Sequence, residues 1–138
     1  MIRLAGIDHV VFRVADIDSS LRFYTEVLGA TLEKVQAEIG LWQLRAGTSL
    51  IDLVPVAGPL GRAGGASPGE DGRNVDHVCF RVADWDEAAI VAHLQGHGFA
   101  AEIARRYGAE GDGPSIYLRD PDGNGLELKG PPASPAGA

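Results

Sequence analysis

The polar and apolar positions of this chain change period several times, and the changes repeat. The run "IDHVVFRVAD" from Ile7 alternates, as does "VDHVCFRVAD" from Val75, with the period of two expected of a strand buried on one face. At an offset of 68 residues, Asp8/Asp76, His9/His77, Val10/Val78, Phe12/Phe80, Arg13/Arg81, Val14/Val82, Ala15/Ala83 and Asp16/Asp84 are identical pairs, so the chain is an internal repeat. After each copy the period turns helical, through Ile17, Leu21, Tyr24 and Leu28 in the first half and Trp85, Ala89, Ala92 and Leu94 in the second. Asp18 and Asp86 stand where an N-cap or first-turn acid is favoured, and Gly29 and Gly98 where a helix stops. Three β-rich runs follow each helix: "ATLEKVQ", "LWQLRA" and "SLIDLVPV", then "AAEIARRY", "PSIYLRD" and "NGLELKG". Each half therefore reads strand, helix, three strands. The pattern predicts an α+β protein of two tandem βαβββ modules, residues 5–56 and 75–130, joined by a Gly-rich connection over 57–74 and ending in a flexible tail, 131–138.

Strand parity sorts the chemistry. His9 shares a face with Val11 and Arg13, while Asp8, Val10, Phe12 and Val14 take the more apolar face expected to pack beneath the helix. His77 repeats this, with Cys79 and Arg81 on its side. Setting "LIDLV" on "GLELK" pairs Ile51 with Leu126 and Leu53 with Leu128 as core positions, which puts Asp52 opposite Glu127, each a carboxylate between large apolar residues. The repeat thus singles out His9, Asp52, His77 and Glu127 as one symmetric set, provided the modules bring their polar faces together. Two neutral imidazoles with one or two carboxylates suit Zn²⁺, Ni²⁺, Fe²⁺, Mn²⁺ or Co²⁺, and three such ligands leave positions open for substrate and water. Such a metal acts as a Lewis acid on a substrate oxygen, and a carboxylate beside it can take a proton.

Composition narrows the remaining classes. At 138 residues, 45% hydrophobic and 22% charged, the chain fits one globular domain. No apolar run approaches the roughly 20 residues of a membrane span, and "MIRLAGIDHV" lacks the features of a signal peptide, which points to the cytoplasm. Cys79 is the one cysteine, so an intrachain disulfide and a Cys-based zinc cluster are both excluded, and it reads as a small buried apolar residue. A net charge of −7 without a Lys/Arg-rich stretch argues against a nucleic-acid partner. Arg13 is a candidate anchor for an anionic substrate tail, although Arg13 and Arg81 read more simply as partners of Asp16 and Asp84. Trp42 and Tyr117 could wall an apolar pocket, and His93 and His97 read as surface residues.

The segments "DHVVFRVADIDSSLRFYTEVLG", "VDHVCFRVAD" and "IYLRDPDGNGLEL" resemble the vicinal oxygen chelate superfamily, also called the glyoxalase/bleomycin resistance/dioxygenase family, over nearly the whole chain from Ile7 to Lys129. The resemblance implies paired βαβββ modules forming a U-shaped mixed sheet that cups one divalent metal, with helices outside. By position it implies His9, His77 and Glu127 as ligands and Asp52 at the variable fourth site, where a Glu or Gln is usual and the shorter Asp departs from the pattern. The closing segment is similar to that of glyoxalase and fosfomycin-resistance members, which makes Ser115 and Tyr117 candidates to bind substrate; Glu127, Asp52 and Tyr117 are the implied catalytic groups. The implied activity is a lactoylglutathione lyase-like metal-assisted proton transfer on a small oxygenated substrate. Extradiol dioxygenase, thiol transferase and metal-free drug-binding protein are the alternatives within the same superfamily. A homodimer is implied, with sites formed within a chain or by modules exchanged between chains.

Overall fold

A computed structural model describes residues 1–132; the rest of the expected tail, 133–138, lies outside the described residues. The chain divides into two compact units, with the boundary after Gly72. In the first, strand β1 (His9–Val14) leads into helix α1 (Ile17–Arg22) and a π-helical turn, Phe23–Val27, followed by β2 (Thr31–Gln36), β3 (Leu41–Ala46) and β4 (Ser49–Pro55). The sheet order is β1-β4-β3-β2, with β1 parallel to β4 and the other pairs antiparallel. In the second, β5 (His77–Arg81), α2 (Glu87–Gly96), β6 (Ile103–Gly108), β7 (Gly111–Arg119) and β8 (Gly125–Lys129) repeat that plan in the order β5-β8-β7-β6. Both four-stranded sheets are mixed, and the α+β repeat expected from the periodicity is present in each half.

The cores follow the predicted parity. Phe12, Val14, Leu44, Ile51 and Leu53 are buried in the first half, and Ile116, Leu118, Leu126 and Leu128 in the second. Each such side chain contributes roughly 1.5–3 kcal/mol by leaving water. The first helix departs from the 3.6-residue stripe. At the π-helical turn Leu28 N–H bonds the Phe23 carbonyl five residues back, which rotates Phe23 and Tyr24 both inward. Tyr24 stacks on Phe12 at 5.7 Å and meets Phe23 edge-on at 5.0 Å.

Asp18 is the first-turn acid of α1, as expected, and Asp16 is its N-cap, the Asp16 side chain accepting from Asp18 N–H; Asp86 caps α2, accepting from Ala89 N–H. Two local expectations are corrected. Asp8 is exposed and off the apolar face, because β1 begins only at His9 and strand alternation does not govern the residue before it. Arg13 and Arg81 do not pair with Asp16 and Asp84. Arg13 donates to the carbonyls of Gly61, Gly65 and Ala66, tying the start of the connection to β1, while Arg81 pairs with Glu110. Gly61 is required there, since a Cβ would stand 1.8 Å from the Pro55 carbonyl oxygen.

Candidate functional site

In the first half the polar face is a row across three strands. Asp52 of β4 lies between Val11 of β1 and Gln43 of β3 in register, and only 4% of it is exposed. A buried carboxylate needs donors. Gln43 Nε2 supplies them to both oxygens at 3.3 Å, and Gln36 Nε2 in turn donates to Gln43 Oε1 at 3.0 Å. The sequence reading missed both glutamines; the signal for Gln43 is a lone amide between Trp42 and Leu44, on the parity of Asp52. At the start of β1, His9 Nδ1 lies 2.6 Å from Asp8 Oδ1. That bond, opposed by slight desolvation and reinforced by the Asp52 charge, raises the His9 pKa.

The second half builds the matching pair more closely. His77 Nδ1 is 2.7 Å from Asp76 Oδ2, and its Nε2 stands 3.5 Å from Glu127 Oε2, too far for a good hydrogen bond but within charge contact. Register places Glu127 between Cys79 and Tyr117 on neighbouring strands, on one face. Glu127 is 6% exposed. Burial pushes its pKa up, but the Cys79 thiol, the Tyr117 and Ser115 hydroxyls and the His77 charge outweigh that and hold it below the usual carboxylate range. Ser115 Oγ is buried with no partner in hydrogen-bonding geometry among the described residues, so it acts on Glu127 as a nearby dipole. Burial and Glu127 together push the Cys79 thiol up to about 12. Cys79 is exposed, against the expectation of a buried apolar residue, because β5 is an edge strand and its thiol points to the polar face.

Tyr117 faces this group, its ring edge-on to His77 at 5.6 Å and capped by the Arg106 guanidinium at 5.7 Å. Burial and the Glu127 charge raise the Tyr117 pKa, so its hydroxyl remains a donor. Asp76, His77, Tyr117, Arg119 and Gly125 line a cavity of about 190 Å³. Of the remaining candidates, Arg13 is engaged with loop carbonyls, and Trp42 pairs with Leu53, which puts it on the core face opposite Asp52 and Gln43.

The donor chemistry fits a divalent metal. In each half a carboxylate, which can only accept, meets Nδ1, leaving Nε2 as the lone-pair nitrogen, and a second, buried carboxylate lies on the same sheet face. Among the described residues no three His, Cys, Asp or Glu side chains are gathered closely enough to hold a metal ion. Each half offers one imidazole and one buried acid, short of the three protein ligands of a catalytic zinc site.

Comparison with known proteins identifies the family of this fold. The family model described as Glyoxalase/Bleomycin resistance protein/Dioxygenase superfamily matches residues 6–128. A virulence protein of Salmonella typhimurium is 30% identical over 128 residues, spanning 88% of this chain and 81% of its own length. The metallothiol transferase FosB of Bacillus licheniformis is 27% identical, spanning 91% of this chain and 75% of its own. Among solved structures, an integron cassette protein from the V. cholerae mobile metagenome superposes with a TM-score of 0.71 at 29% identity, covering 94% of this chain and 98% of that one.

Proposed function

The chain belongs to the glyoxalase/bleomycin resistance protein/dioxygenase superfamily, and from that premise we propose that it is a divalent-metal-dependent enzyme moving a proton on a small oxygenated substrate, as a lyase or isomerase of the glyoxalase type. The observation that carries the proposal is the duplicated pair: in each half a histidine held at Nδ1 by an acid, with a buried carboxylate on the same sheet face. On this reading His9, His77 and Glu127 ligate the metal, with Asp52 at the fourth position, where Gln43 fixes the direction of its carboxylate. A bound Zn²⁺, Ni²⁺, Fe²⁺, Mn²⁺ or Co²⁺ would supply Lewis-acid stabilisation of negative charge on a substrate oxygen.

The residues around it supply the rest. Glu127, held ionised by its neighbours, is the group that takes and returns a proton. Tyr117, half exposed and beside it, donates a hydrogen bond to the substrate from the cavity wall, and Ser115 supports Glu127 from beneath. Arg106 over the Tyr117 ring adds positive charge where a substrate bearing an anionic group would lie. The partners on this reading are a small-molecule substrate and a second copy of the chain.

A second reading is favoured by the likeness to FosB, whose name gives it as a metallothiol transferase: the same residues would then orient an electrophile for attack by a thiol. Assays with hemithioacetals, and separately with an epoxide plus a thiol, in the presence of each divalent ion, distinguish the two. Glu127→Gln is expected to lower turnover by about 10²–10⁴-fold in the proton-transfer assay, the range for loss of a general base. Turnover unchanged by Glu127→Gln would rule out this assignment.

A further inference from the structure

We propose that Asp8 and Asp76 are positioning residues for the two histidines: each fixes its neighbour's ring as the tautomer protonated at Nδ1, leaving the Nε2 lone pair free to bind a metal ion. The inference rests on the metal-enzyme reading above and assigns it two residues beyond the ligand set.

The two contacts are independent copies of one device. His9 Nδ1 meets Asp8 Oδ1 at 2.6 Å, and His77 Nδ1 meets Asp76 Oδ2 at 2.7 Å. Adjacent residues in a regular strand point to opposite faces, so an acid at position i−1 cannot ordinarily reach the ring at position i. Here it can, because β1 and β5 both begin at the histidine and strand alternation does not govern the residue before it, even though the Asp8 carbonyl still accepts from Leu50 N–H at 3.0 Å. Both acids are almost fully solvated, at 92% and 97% exposure of the side chain, so neither is held there by packing and neither fills a core position. No other partner is needed to explain the arrangement. A carboxylate only accepts, so the proton lies on Nδ1 and Nε2 is left as the ligating nitrogen. In the second half Nε2 is the nitrogen turned away from Asp76 and towards Glu127, at 3.5 Å. Carboxylate partners of this kind orient metal-binding histidines and raise their basicity.

The test uses the full chain carrying Asp8→Ala, Asp76→Ala and both together, with Asp→Asn at each position as the variant that keeps an accepting oxygen. Ring ¹⁵N shifts of His9 and His77 are recorded by NMR in the metal-free protein, and Zn²⁺ affinity is measured by calorimetry. The expectation is a predominant Nδ1–H tautomer in wild type, lost in the Ala variants and largely kept in the Asn variants, with Zn²⁺ binding weakened by about 10–100-fold per Ala substitution. Far-ultraviolet circular dichroism should be unchanged, since neither acid is buried. Ring shifts and Zn²⁺ affinity that do not respond to Asp→Ala overturn the inference. A wild type whose rings show the Nδ1–H tautomer while Zn²⁺ is not bound supports the ring-setting role and instead overturns the proposed metal enzyme.

Discussion

Single side chains on the polar faces make the strongest chemical statements. Cys79 shows how one position is set by its neighbours: partial burial and the adjacent Glu127 carboxylate push its thiol up to about 12. In chelator-treated protein at pH 8, iodoacetamide should therefore alkylate Cys79 about 100-fold or more slowly than an ordinary thiol, with the rate still rising beyond pH 10. Labelling followed by mass spectrometry checks this, and a rate that levels off near pH 9 would contradict it. Glu127 gives the opposite sign. Its folded pKa lies below the unfolded value, so its ionised form stabilises the fold above the usual carboxylate pKa, and that contribution fades as pH falls through the lowered folded pKa. The stability difference between metal-free wild type and Glu127→Gln should then be largest near neutrality and shrink in acid, as urea titrations across pH would record. What parity could show of these residues was which face they share. It could not show Gln43 on Asp52 or Asp8 on His9, since these depend on rotamers and on where a strand begins.

Elements were more legible than residues. The two alternating runs, the switch to helical spacing and the three following strands all lie within a few residues of the observed bounds, because a half-buried strand writes its period directly into the sequence; of the second helix's expected stripe, however, Trp85 precedes α2, Ala89 and Ala92 are exposed, and only Leu94 is buried. The misses have physical causes. The π-helical turn has no signature in a 3.6-residue template, yet it decides that Phe23 and Tyr24 both enter the core. The Gly-rich connection looked featureless, but Arg13 and the turn at Gly61 give its beginning a fixed path. Gly61→Ala, which would press a methyl on the Pro55 carbonyl, should destabilise the protein by about 2–4 kcal/mol. Gly64→Ala meets only the flexible end of Arg13 and should cost distinctly less, a ranking that denaturant unfolding of the two variants would confirm or reverse. In the first-half core, Leu53→Ala removes a fully buried side chain and should cost about 2–5 kcal/mol.

At the scale of the whole molecule, the fact that organises everything else is duplication. One βαβββ plan is used twice, each copy places a histidine at the start of its first strand and an acid in the middle of its last, and each histidine carries the same aspartate on Nδ1. Core packing accounts for Phe12 and Val14, which are buried, and for Phe80 and Val82, which repeat them half-buried, but a buried interior gives no reason to repeat a solvated Asp-His pair or to bury two carboxylates. Among the described residues no helix is long and apolar enough to cross a membrane. The most direct measurement is the metal content of protein purified without added metal and without a histidine tag, by elemental analysis, beside His9→Ala and Glu127→Ala. About one equivalent of a divalent ion in wild type, lost from both variants, is the expected result. A wild type that holds no metal and takes up none when it is offered, or variants that keep it, would contradict the metal-enzyme assignment.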